Sequence, residues 1–209
     1  MKPSDKTLKI KSFQKIRLCF FLMLLATAGF SQECGIWYVT PTAPVNGAGT
    51  KANPTAFSTA YTNAGGSAKE IRLAVGDYSI SQPISVRDSI ILDGGFDPVS
   101  WVKSSQGISR FVRTNQNPQT NPLRLVAFEA INKTAFSFHD LSVSVEDADT
   151  LVSGFGVSTY GIYLNACNHY SIVRVQVSAG NATKGRDGNL VGNGLNGVAG
   201  ADGGKGCRR

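Results

Sequence analysis

Between Glu70 and Asp97 the chain reads EIRLAVGDYSISQPISVRDSIILDGGFD, one short alternating run after another with no span long enough for a helix. Ile71, Leu73 and Val75 share a side, as do Ile84 and Val86, and then Ile90 and Leu92. Each run stops at a turn signal: Gly76-Asp77, Arg87-Asp88-Ser89 and Asp93-Gly94-Gly95. Side chains alternate sides along a strand. Runs with one apolar face each therefore bury those faces by wrapping round a common axis or by pairing with neighbours. The pattern predicts an all-β chain, a parallel β-solenoid with coils over 70–179.

The chain also repeats itself. Val126-Ala127-Phe128 can be laid over Ile162-Tyr163-Leu164 at an offset of 36, and Phe138 to Val143 over Ile172 to Val177 at an offset of 34. Self-similarity at a period of about 20–50 residues is what a solenoid leaves in sequence, because each unit buries its face only on the next. Two stretches break the rhythm. Glu146-Asp147-Ala148-Asp149 with Gly154-Phe155-Gly156 reads as a projecting loop, and 101–122, which holds Asn-Pro twice and no acidic residue, reads as a loop insertion.

Ahead of the coils, 32–69 is read as a strand at Ile36–Val39, a loop, and a short helix. The helix signals are Asn53 as N-cap, Pro54 at the first helical position, Phe57, Tyr61 and Ala64 on one face, and Gly65-Gly66 at the end. Such a helix would cover the exposed apolar end of the first coil. Residues 1–31 read as a signal peptide: Lys2 to Arg17 supplies a basic region, Leu18 to Ala28 an apolar core, and small residues follow. That apolar run is shorter than the roughly 20 residues of a spanning helix, so no membrane span is expected in the mature chain. Residues 180–209 read as a Gly-rich tail.

Charge narrows the partners. The whole chain has 21 Lys+Arg and 14 Asp+Glu, but the leader holds six of the first and one of the second, leaving a net of +2. That balance creates no long-range field for a polyanion, and nucleic acid is excluded as a partner. Cleavage removes Cys19 and leaves Cys34, Cys167 and Cys207, whose spacings match no zinc or redox pattern; Cys167 is expected as a small core residue.

The opening of the mature chain carries a resemblance. Trp37-Tyr38-Val39-Thr40-Pro41, Gly49-Thr50, Asn53-Pro54, the Ile71 to Tyr78 run and Leu92-Asp93-Gly94-Gly95-Phe96-Asp97 resemble the start of secreted right-handed parallel β-helix proteins of Gram-negative bacteria, the pectin-lyase-like fold. The resemblance implies that fold and a secreted or outer-surface location. It does not select a function, since the fold carries polysaccharide lyases, glycoside hydrolases, tailspikes and adhesin-like surface proteins.

The residues favour a non-catalytic adhesion or glycan-binding module, the N-terminal part of a longer protein, over the alternative of a polysaccharide lyase or hydrolase. Loops on a solenoid are where binding sits, so Trp101, Arg110, Phe111 and Arg113 are the candidate glycan-contacting surface. Catalysis would need converging carboxylates; the candidates are Asp88, Asp93 and Asp97, of which Asp88 and Asp93 stand at turn positions, and separately Asp140, Glu146, Asp147 and Asp149, the stretch around which the enzyme alternative would place its site. His139 should point away from the inward Phe138 and corresponds to Val173 in the repeat, so it does not stack with His169. Arg72, Arg87 and Arg174 are the candidate bases of a lyase, but on the outer face of a strand they are read as solubilising side chains. No cofactor is expected. Calcium enters only as an alternative, with Glu146, Asp147 and Asp149 as its ligands.

Overall fold

The alternating runs become strands, and the strands stack coil upon coil. A computed structural model describes residues 35–67, 69–149, 154–188, 197 and 200. In chain order its elements are β1 (Ile36–Val39), α1 (Phe57–Asn63), β2 (Glu70–Ala74), β3 (Gly76–Ile80), β4 (Ile84–Ser85), β5 (Ile91–Phe96) and β6 (Ser109–Arg113). There follow β7 (Gln119–Thr120), β8 (Leu123–Ile131), β9 (Ser137–His139), β10 (Leu141–Val145), β11 (Ser158–Asn165), β12 (Ser171–Val173) and β13 (Gln176–Ser178). The expectations for the signal peptide, for Cys34 and Cys207 and for most of the Gly-rich tail lie outside the described residues.

Three sheets result, ordered β1-β2-β5-β9-β12, β3-β6-β10-β13 and β4-β8-β11, all of parallel pairs. From β2 to β11 each pass of the chain leaves one strand of the path in each sheet, so the molecule is a parallel β-solenoid of about four turns, with one short helix among the described residues. Among the strands of the described residues, β7 alone runs antiparallel, folded back on β8. Among the described residues no helix is long and apolar enough to cross a membrane.

Register turns the inward residues into ladders. In the first sheet Ile71, Leu92, Phe138 and Ile172 are cross-strand partners; in the second, Tyr78, Phe111, Val143 and Val177; in the third, Ile84, Phe128 and Ile162. Aromatic rings join the ladders across the interior: Phe57 to Phe111 at 4.8 Å, Phe111 to Phe128 at 5.0 Å and Phe128 to Phe138 at 5.0 Å between centroids, with edge or tilted geometry. Successive coils turn their corners alike. Asn132 and Ala166, Ala135 and His169, and Asp140 and Arg174 all have φ of 51–59°. The members of each pair are one repeat apart, so coil geometry sets this left-handed conformation, which Asn132 and Asp140 accept readily but Ala135, Ala166 and Arg174 do not favour.

Three sequence readings are corrected here. Between the last two coils the offset is 34 residues in all three sheets, because Phe128 pairs with Ile162 and not with Leu164. The segment 101–122 is no simple loop insertion: β6 runs through it, pairing with β3 and β10, and its Phe111 fills the interior between Tyr78 and Phe128. The helix begins at Phe57 with Ala56, not Asn53, as its N-cap. The cause is Thr55, whose N–H donates to Tyr38 O at 3.0 Å and which bridges to Val39, keeping the backbone extended through Ala56. The helix still covers the first coil. Ala60 and Ala64 are in the core, and Phe57 and Tyr61 pack on it.

Candidate functional site

Because Tyr78, Phe111, Val143 and Val177 point inward, their neighbours line the outer face of the second sheet. Asp77, Arg110, Ser142 and Gln176 form one row across β3, β6, β10 and β13, and Ser79, Val112, Ser144 and Ser178 form the next. The segment 97–108, between β5 and β6, brings Gly107 and Ile108 to the edge of this face. Two adjoining clefts result. One, of about 400 Å³, is lined by Lys103, Asp140 and Arg174; the other, of about 530 Å³, by Asp77, Arg110, Ser142, Ser144 and Ser178. They share Gly107, Ile108 and Gln176. Within a row, residues on adjacent strands stand about 4.8 Å apart, so polar groups recur along the coil axis at strand spacing.

Charges in the clefts come in bonded pairs. Asp140, at the left-handed corner between β9 and β10, accepts hydrogen bonds from Arg174 Nε and, at 2.9 Å, Arg174 Nη2. Lys103 Nζ reaches Asp140 and Asp93 and donates to Gly94 O at 2.6 Å. The Arg174 hydrogen bonds, with help from Lys103, hold the Asp140 carboxyl far below the usual carboxylate range despite partial burial. The same contact raises the Arg174 guanidinium. In the second cleft Arg110 grips Asp77 with two bonds, Nε to Oδ1 at 2.8 Å and Nη2 to Oδ2 at 2.6 Å, lowering the Asp77 carboxyl and raising Arg110. Gly94 permits the close packing behind Asp140: a Cβ there would fall 2.5 Å from Asp140 O.

The structure separates the four residues expected to form an aromatic and basic surface. Trp101 is buried edge-on against Tyr38 with ring centroids 4.7 Å apart, and its Nε1 donates to Lys51 O. Phe111 lies wholly in the interior. Arg113 is also buried, its guanidinium caged by the carbonyls of Val126, Thr114, Gln116 and Asn117, and desolvation lowers its pKa. These three face inward and present nothing to a sugar. Arg110 alone stands in a cleft.

The acidic loop is likewise occupied by protein. Glu146 Oε2 accepts the Asn115 N–H at 3.0 Å, Asp149 accepts from Asn115 Nδ2, and Asp147 accepts the Asn181 N–H at 2.6 Å. Among the described residues no group of three or more His, Cys, Asp or Glu side chains is placed to hold a metal. Asp88 ties one coil to the next through the Thr134 N–H, and Asp97 closes its own turn on Ser100. His139 pairs with Val173 across the sheet, as the repeat requires. Cys167 is a free thiol, partly buried against the core, donating to Ala130 O at 3.3 Å. Sequence reasoning overlooked Lys103, Ser142 and Gln176, and read Arg174 as merely solubilising. One signal pointed to the ion pair: Asp140 and Arg174 have opposite charge and lie one repeat apart.

Compared with protein-family models, curated proteins and solved structures, the chain finds no match.

Proposed function

We propose that this chain is an exported, non-catalytic adhesion module whose second sheet binds a polyhydroxylated chain, a glycan, along its outer face. The supporting observation is the floor of the second cleft, where Ser142, Ser144, Ser178 and Gln176 set hydroxyl and amide groups side by side on β10 and β13. A hydroxyl both donates and accepts, as does the Gln amide, and that is the complement a sugar's hydroxyls require. The resemblance of the opening segment to secreted β-helix proteins agrees with export.

The electrostatics favour binding over cleavage. A glycoside hydrolase needs a carboxyl kept protonated near neutral pH, whereas Asp140 and Asp77 are both shifted the other way. A lyase needs a base free to take a proton, whereas Arg174 and Arg110 are held more firmly protonated by their carboxylate partners. The test is a polysaccharide-binding screen of the wild-type chain and Ser144→Trp, which fills the second cleft from its floor. The expected result is binding without a fall in polymer length, weakened at least about tenfold in a Ser144→Trp protein of unchanged circular dichroism. Chain shortening, or equal binding by the variant, would overturn the reading.

A further inference from the structure

Resting on the glycan reading above, we infer that the clefts select uncharged polysaccharide and reject polyuronate or sulfated chains. Three cations and three carboxylates meet here, and every one is bonded to a resident partner: Arg110 to Asp77, Arg174 to Asp140, and Lys103 to both Asp140 and Asp93. An acidic sugar would have to displace a protein carboxylate from its cation. Until it did, it would meet the carboxylates of Asp77 and Asp140 as one acceptor facing another.

A neutral sugar meets a different surface. Each carboxylate oxygen of Asp77 accepts one bond from Arg110 and has lone-pair capacity left for a sugar O–H. Ser142, Ser144 and Ser178 hydroxyls and the Gln176 amide between them offer both donors and acceptors. The lining is therefore rich in groups that complement hydroxyls, and it holds no guanidinium or ammonium without a carboxylate on it. Charge balance also makes the attachment independent of ionic strength, unlike capture of a polyanion by a basic patch.

The experiment uses the mature chain with two probe sets: neutral β-glucan, mannan and dextran, and the anionic polymers polygalacturonate and heparin, each at low and high salt. Wild type is expected to bind at least one neutral polymer with an affinity that salt changes by less than about twofold, and neither polyanion. Asp77→Asn leaves Arg110 without its carboxylate, and it should gain polygalacturonate binding by about tenfold, abolished by high salt. The double variant Asp77→Asn with Arg110→Gln should lose that gain. Wild-type binding to a polyanion and to no neutral polymer would overturn charge selection while leaving the glycan reading in place. Binding to neither set would overturn both. Failure of Asp77→Asn to gain polyanion binding would show that the resident carboxylate is not what excludes acidic chains.

Discussion

The two ends of the coil carry the same kind of inward residue in the same ladders. Ile71 in β2 and Ile172 in β12 occupy equivalent positions, yet the first is fully buried and the second is 37% exposed. Tyr78 in β3 and Val177 in β13 repeat the contrast at 5% and 47%. At the first end β1 extends the sheet, and α1 with the Ala64 that follows it lays Phe57, Ala60 and Ala64 over the interior. At the other, β11, β12 and β13 have no further strand beside them among the described residues. Burial in this fold is thus a property of the neighbouring coil more than of the side chain, as expected of a stack stabilised through nearest neighbours.

The comparison breaks most readily by making one substitution at both ends. Ile71→Ala opens a cavity in packed surroundings and should cost about 3 kcal/mol, while Ile172→Ala shortens a side chain that is covered on one side only and should cost under about 1 kcal/mol. Urea unfolding of the two variants measures this, and equal losses would mean the last coil is packed as tightly as the first.

A smaller effect concerns what fastens the last coil. Arg174, at the corner before β13, is tied to Asp140 of the preceding coil. Asp140→Asn should lower stability by about 1 kcal/mol at neutral pH. A carboxyl lowered by folding stabilises the protein above its ordinary value of about 3.9 and ceases to do so as pH falls below it. The gap between wild type and variant should therefore close as the solution is taken from about pH 5 into acid. A gap that widens in acid would contradict the assignment.

The smallest expected change is a gain. Ala135 and Ala166 hold φ of 59° and 52° at successive corners. Glycine accepts that conformation without the Cβ penalty of about 1–2 kcal/mol, though it loses part of the benefit to unfolded-chain entropy. Ala135→Gly should stabilise by about 0.5 kcal/mol in thermal unfolding, and Ala166→Gly, at the corner leading into the exposed coil, by less.

Much of the fold was legible because the alternation at Ile71, Leu73, Ile90 and Leu92, broken by turn residues, leaves few alternatives to stacked strands. The repeat from Phe138 to Val177 was equally plain. What escaped detection was β6, since in Ser-Arg-Phe-Val-Arg a single large apolar inward side chain, Phe111, stands between two arginines. Sequence rules place arginine outside, yet Arg113 is buried because four backbone carbonyls replace its water. The helix start was misjudged because the Asn53-Pro54 signal is local and the pull of Val39 and Tyr38 on Thr55 is not. For the candidate site, Arg110 was singled out for the right exposure in the wrong company. Its true neighbours, Asp77 and Ser142, come from other coils, and only the register brings them together.

The clefts span both conditions, reaching from β3 beside the covered end to β13 at the exposed one. Native-state hydrogen exchange with and without a bound neutral polysaccharide therefore tests the account most directly. It should show β6 strongly protected in both cases, and β13 exchanging at least about a hundredfold faster alone but slowed at Gln176 to Ser178 when the polymer is present. Equal protection of β6 and β13 without ligand, or a ligand effect confined to another sheet, would contradict it.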